Sequence, residues 1–118
     1  INGKPFKMFG DGSSTRSFCY IDDILSGIIK VYETESAIGQ VINLGNPVEF
    51  TLSDAIKEFE SIIGTELNKE YIDTPPDDPK KRKPDITKAK NLLNWEPTID
   101  FKTGMKNTLD YYQNKLNN

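Results

Sequence analysis

Histidine is absent from all 118 residues, and cysteine occurs once. The first absence excludes a Ser-His-Asp triad, a Cys-His pair and any histidine-ligated zinc site built from this chain alone. A lone thiol, Cys19, excludes an intrachain disulfide and fits a reducing compartment. Long apolar runs are also missing, since every one falls far short of the ~20 residues a membrane helix needs. The first residues do not read as a signal peptide, and the expected address is the cytoplasm. Charge of one sign is not in excess: 15 Lys and Arg stand against 18 Asp and Glu, a net charge of -3. That balance argues against the domain-wide basic face a nucleic-acid footprint requires.

What remains, 36% hydrophobic and 28% charged residues, is the composition of one small soluble domain with a modest core. It is not that of a collagen, a coiled coil or a disordered tail. Ile1, Asn2 and Gly3 read as the last turn and glycine cap of a helix, and the chain opens without Met. Both features create the expectation of a piece of a longer protein. No internal repeat or low-complexity segment interrupts the chain, so residues 1–118 are expected to form one domain.

Periodicity predicts a strand over Phe6 to Phe9, a turn-rich loop over Gly10 to Ser14 and a second strand over Ser17 to Ile21. Asp22 and Asp23 stand where carboxylates favour a helix start, and Ile24, Leu25, Ile28, Ile29 and Tyr32 follow as its inward stripe, closed by Gly39. Val41 to Leu44 reads as a buried strand. Thr51 or Ser53 caps a helix that stops at Gly64, with Leu52, Ala55, Ile56, Phe59, Ile62 and Ile63 inward. Tyr71 and Ile72 mark a further strand, and the four prolines between Thr74 and Pro84 make that stretch a loop. A short helix opens at Asp85 or Thr87 and ends near Trp95. The last helix runs from about Thr103 to Leu116, with Met105, Leu109, Tyr112 and Leu116 inward. Short strands alternating with helices predict a small α/β layer structure.

Three segments could carry chemistry. GDGSSTRSFCYIDD offers glycines at 10 and 12 for a tight turn and Arg16, a planar fork that suits phosphate or carboxylate. A hairpin turn with a solvated arginine fits the same residues. No Gly-Lys-Ser/Thr follows and no G-x-G-x-x-G opens a helix, so neither a P-loop nor a dinucleotide fingerprint is present. VINLGNPVEFT places Asn46 and Thr51 after a strand, where α/β sheets often hold ligands and where a plain turn and helix cap would look the same. DDPKKRKPD sets Lys80, Lys81, Arg82 and Lys83 among Asp77, Asp78 and Asp85, a phosphate clamp or a solvated charged loop. Helix capping is preferred over a catalytic pair for Asp22 and Asp23, because adjacent helix positions face different ways. Packing is preferred for Cys19, and core or interface roles for Trp95, Tyr111 and Tyr112.

Together GDGSSTRSFCYIDDI, VINLGNPVEFTLSDA and DDPKKRKPDITKAKNLLNWEPTIDF resemble the C-terminal part of the extended short-chain dehydrogenase family (NAD-dependent epimerase/dehydratase), whose members modify nucleotide sugars. TRSFCY and DDPKKRKPDITKAK look most like the UDP-glucuronate decarboxylase branch, with dTDP-glucose 4,6-dehydratase and UDP-sugar 4-epimerase as the nearest alternatives; a free-standing anion- or nucleic-acid-binding module is an alternative of a different class. The resemblance implies a small α/β C-terminal substrate-binding domain whose Rossmann half is absent. NAD and the catalytic Tyr-x-x-x-Lys pair would then belong to that missing half. No catalytic, cofactor-binding or metal-binding residue is expected here, and the chain alone is expected to be inactive. It further implies a nucleotide-sugar substrate, no nucleic acid, no membrane and a homodimeric parent. By position, Arg16 and Arg82 match the family's diphosphate contacts, Met8 and Phe9 the segment whose backbone lies against the pyrimidine base, and Thr51 a position near the nucleotide. Ser14 stands where relatives usually carry Gln, and its shorter side chain cannot make the same reach.

Overall fold

The computed structural model describes residues 3–116. Gly3 has the left-handed φ of 65° that a glycine cap requires, whereas Ile1 and Asn2, the rest of that expected helix end, lie outside the described residues. Among the described residues four strands form two pairs. β1 (Phe6–Phe9) runs parallel to β4 (Lys69–Ile72), and β2 (Thr15–Ser17) runs antiparallel to β3 (Glu49–Thr51). Four α-helices complete the α/β structure of the described residues: α1 (Ile21–Glu33), α2 (Leu52–Ile63), α3 (Thr87–Leu93) and α4 (Phe101–Leu116).

The boundaries of β1, α2 and the Thr74 to Pro84 loop follow the sequence pattern. Thr51 is the cap of α2, its Oγ1 accepting the Asp54 N–H at 3.0 Å, and Gly64 ends the helix at φ 70°. Ala55 and Ile56 are its buried residues.

Several expectations are corrected. The second strand lies at Thr15–Ser17 rather than Ser17 to Ile21, because β3 pairs there and Ile21 already belongs to α1. Val41 to Leu44 forms no strand: a ladder needs a neighbour, and among the described residues none lies beside it. Val41 is 83% exposed, while Ile42 and Leu44 turn onto the core. The expected inward stripe of α1 is its outer face, with Leu25, Ile28, Ile29 and Tyr32 all exposed. Asp23 and Gly27 are what α1 buries, since a Cβ at Gly27 would meet Leu44 Cδ1 at 2.9 Å and Trp95 Cε2 at 3.1 Å. In α4, Phe101 and Gly104 are buried, whereas Tyr112 and Leu116 are exposed. Tyr111 is likewise exposed and stacks edge-on against Tyr112, outside the core.

The main core is Ala37, Ile86, Ala89, Leu93 and Trp95, gathered between α1, a single 3-10 turn at Glu35–Ala37 and α3. A second apolar centre joins Phe101 to Phe18 and Phe50, at ring-centroid distances of 5.1 and 4.7 Å.

Asp23 is not a helix cap. It is 4% exposed, and its carboxylate accepts Thr98 N at 3.1 Å, Thr98 Oγ1 at 3.1 Å and Ile99 N at 2.9 Å. These bonds clamp α1 to the chain entering α4. The buried Trp95 completes the clamp, its Nε1 donating to Ser26 Oγ at 2.9 Å and to the Asp23 carbonyl at 3.2 Å.

Candidate functional site

The three segments singled out in the sequence meet around β2. On one edge Arg16 pairs with Phe50 and Thr15 with Thr51, which brings in the Val41 to Thr51 segment through β3. Along β2 the 74–84 loop lies as a strap, with Thr15 N donating to Lys80 O at 2.8 Å and Ser17 Oγ to Arg82 O at 3.1 Å. Residues more than sixty positions apart thus share one surface.

Arg16 is the hub of that surface. Its Nη1 donates to Thr15 O at 2.7 Å and Pro79 O at 3.0 Å, and its Nη2 contacts Asp78 Oδ1 and Oδ2 at 2.7 and 2.6 Å. Its side chain is 19% exposed and that of Asp78 28%. Asp78, seen in the sequence only as one charge of a mixed run, is therefore the specific partner of Arg16. No local signal connects two residues that far apart. Arg82 is exposed, and its guanidinium makes no hydrogen bond among the described residues.

The Gly10 to Ser14 turn needs its glycines. Gly10 and Gly12 have φ of 68° and 83°, and a Cβ on Gly12 would come within 2.9 Å of Met8 Sδ and closer still to Ser53 Oγ. The carbonyls of Gly12 and Ser14 accept the N–H groups of Ser53 and Leu52 at 3.1 and 3.0 Å. With Asp54 N on Thr51, three amides at the start of α2 are occupied, so the loop is docked onto the helix rather than left open around an anion. Asp11 accepts from the Ser13 hydroxyl and N–H, which holds its carboxyl below its usual range. The Thr87 hydroxyl and N–H do the same for Asp85.

The remaining site residues divide by role. Phe6 N donates to Asn68 O, just before β4, and Gly10 N to Ile72 O at its end. Strand alternation therefore turns the Met8 amide inward as well and leaves the Lys7 and Phe9 backbone groups on the unpaired edge of β1. The Met8 side chain is 2% exposed. Thr51 Oγ1 also donates to Asp54 Oδ2 at 2.8 Å, so its hydroxyl is engaged in the cap. Asn46 Oδ1 accepts Val48 N at 3.0 Å within its own turn.

Cys19 is half-buried, and desolvation, then the Asp23 charge, pushes its thiol up, away from a nucleophile. A Tyr-x-x-x-Lys spacing does occur once in this chain, from Tyr111 to Lys115, although the resemblance assigns the catalytic pair to the other half. Lys115 Nζ lies over the exposed Tyr111 ring at 5.8 Å from its centroid, a cation–π contact at the end of α4.

Among the described residues no group of three acidic, Cys or His side chains could hold a metal ion. No helix there is long and apolar enough to cross a membrane. The glycine-rich Gly10 to Ser14 turn joins two strands rather than a strand and a helix, and its Gly12 and Ser14 carbonyls face α2, which is not the arrangement of a dinucleotide fingerprint.

The family model described as GDP-mannose 4,6 dehydratase matches residues 2–108. UDP-glucuronic acid decarboxylase 2 of Arabidopsis thaliana is 43% identical over 105 residues, 89% of this chain and 23% of the relative. UDP-glucuronic acid decarboxylase 1 of Danio rerio is 34% identical over 116 residues, 98% of this chain and 27% of the relative. The chain thus spans about a quarter of the curated relatives it matches. Among solved structures, UDP-glucuronic acid 4-epimerase from Bacillus cereus, in complex with UDP-glucuronic acid and NAD, superposes with a TM-score of 0.90 at 37% identity, over 96% of this chain and 36% of that one.

Proposed function

The chain belongs to the GDP-mannose 4,6-dehydratase family of extended short-chain dehydrogenases, and from that membership we propose that residues 1–118 are the nucleotide-sugar-binding domain of an NAD-dependent enzyme whose full-length form is a UDP-glucuronate decarboxylase. The observation that carries this reading is the convergence of β2, β3 and the 74–84 strap on Arg16, with the exposed Arg82 on the same strap. Guanidinium groups are suited to the two charged phosphates of a nucleoside diphosphate. The unpaired edge of β1 supplies the rest: Phe9 offers one N–H and one C=O, the donor–acceptor pair that a uracil edge complements, while Met8 anchors the strand from beneath. Thr51 acts through the α2 cap, holding β3 beside Arg16 rather than touching the ligand.

In this reading the domain orients substrate and excludes alternatives by position, an entropic contribution to catalysis. The cofactor chemistry belongs to residues outside this chain, and the full protein is a homodimer. The 43% identity to UDP-glucuronic acid decarboxylase 2 of Arabidopsis thaliana, against 37% to the Bacillus cereus 4-epimerase, supports that reaction.

Calorimetric titration of the chain with UDP, UDP-glucuronate and dTDP tests the site. Uridine ligands are expected to bind, dTDP more weakly, and Arg16→Ala to weaken UDP by about tenfold or more, since hydrogen bonds to charged groups are worth about 1.5–3 kcal/mol. Equal UDP affinity in the variant would remove Arg16 from the site.

A further inference from the structure

The guanidinium assigned to the diphosphate already holds an anion. Among the described residues every hydrogen bond of the Arg16 side chain comes from its two terminal nitrogens: two go to the backbone carbonyls of Thr15 and Pro79, and two contacts go to the Asp78 carboxylate. Among the described residues Nε carries none. A phosphate approaching with two oxygens needs Nη2 whether its second bond comes from Nη1 or from Nε, Nη2 is the nitrogen on Asp78, and the phosphate would also meet the Asp78 charge at close range. The Asp78 carboxylate and a bidentate phosphate therefore compete for Nη2.

We propose that Asp78 is a built-in surrogate for the ligand's phosphate, so that nucleotide binding exchanges the Asp78 carboxylate for a phosphate and opens the strap at that end. This inference rests on the diphosphate reading above. The strap is made for a local opening. Its two downstream ties, Thr15 N to Lys80 O and Ser17 Oγ to Arg82 O, do not use the Arg16 side chain. They keep Arg82 beside β2 while Asp78 leaves. The prolines at 75, 76 and 79 stiffen the segment that moves, which limits the freedom gained on release. In the empty state the exchange gives Arg16 a partner at 2.6 Å, so no half-buried guanidinium waits unpaired. The charge favours the ligand once it arrives, because a diphosphate brings more negative charge than one carboxylate and can engage Arg82 as well.

The test is UDP titration of the whole chain in five forms: wild type, Asp78→Asn, Asp77→Asn, Arg16→Ala and Arg16→Ala/Asp78→Asn. Asp78→Asn removes the competing charge with little change of shape, and UDP is expected to bind roughly three- to fivefold tighter, the scale of an exposed ion pair. Asp77→Asn removes the same charge from a neighbouring residue whose carboxylate is not on Arg16, and should change affinity by less than about twofold on the same scale. In the Arg16→Ala background the gain should vanish. Unchanged or weaker binding by Asp78→Asn, with wild type still dependent on Arg16, overturns the surrogate and leaves the site standing. An equal gain from Asp77→Asn overturns it in favour of general charge. If neither wild type nor Asp78→Asn binds UDP, the diphosphate reading and the surrogate fall together.

Discussion

A carboxylate's role is set by what lies opposite it, and Asp23 and Asp78 make the point at opposite ends of the exposure scale. Asp23 is sealed in the interface between α1 and the 98–99 turn, where three donors converge on it. Its replacement by Ala leaves the part-buried Thr98 and Ile99 N–H groups without this acceptor. We expect Asp23→Ala to cost about 3 kcal/mol, within the range for unsatisfied buried donors, measured by urea unfolding followed through the fluorescence of the adjacent Trp95. A loss below about 1 kcal/mol would mean that water replaces the carboxylate. Arg16 was legible in the sequence as an anion-binding candidate because a lone arginine after a glycine turn has few local partners. Asp78 and the true part played by Asp23 were not, since each is defined by a residue 62 or 75 positions away.

Between elements, the best-defined electrostatic tie fastens α2 to the start of β4. Glu60 Oε1 accepts Lys69 Nζ at 2.7 Å and Leu67 N at 2.8 Å. The lysine bond, then the backbone bond, hold the Glu60 carboxyl below its ordinary 4.5, and the same pairing holds Lys69 above its ordinary 10.5. The sign follows from linkage. Stability from the lowered carboxyl is present above its unfolded value and lost as pH falls through the folded one. Stability from the raised lysine is present below its unfolded value and lost as pH rises through the folded one. Thermal unfolding should therefore show Glu60→Gln less stable than wild type near about pH 7, with the difference shrinking towards about pH 3. A difference independent of pH would assign the effect to packing. The α2 cap and stop could be read from Thr51 and Gly64, since capping chemistry is local. The exposed stripe of α1 could not, because periodicity reveals an apolar face without saying what meets it.

The whole molecule is open for its length. Its radius of gyration is 16.8 Å, against roughly 13–14 Å expected for a compact chain of this size, and its shortest extent is 20 Å. No large side chain among the described residues is fully buried. Exposed Ile21, Leu25, Ile28, Ile29 and Tyr32 on α1 form a contiguous apolar surface of the kind that marks an interface. In the proposed reading such a slab offers an edge to the nucleotide, and the cofactor is held by residues outside this chain. The chain alone is accordingly expected to release no carbon dioxide from UDP-glucuronate with NAD supplied, and turnover by the purified 118 residues would refute that division of labour.

By itself the sequence determined the local elements and the chemistry available. Turns, caps and strand β1 follow from backbone preferences, the family from three ordered motifs, and the exclusion of histidine chemistry from composition. Only the tertiary structure decided which charges meet. Pairing of β2 with β3 and docking of the strap placed Asp78 on Arg16 and left Arg82 exposed, and burial turned Asp23 from a helix-start carboxylate into a clamp. The physical reason is that capping and turn energies act over a few residues, whereas ion pairing and desolvation act through space between segments that only folding brings together.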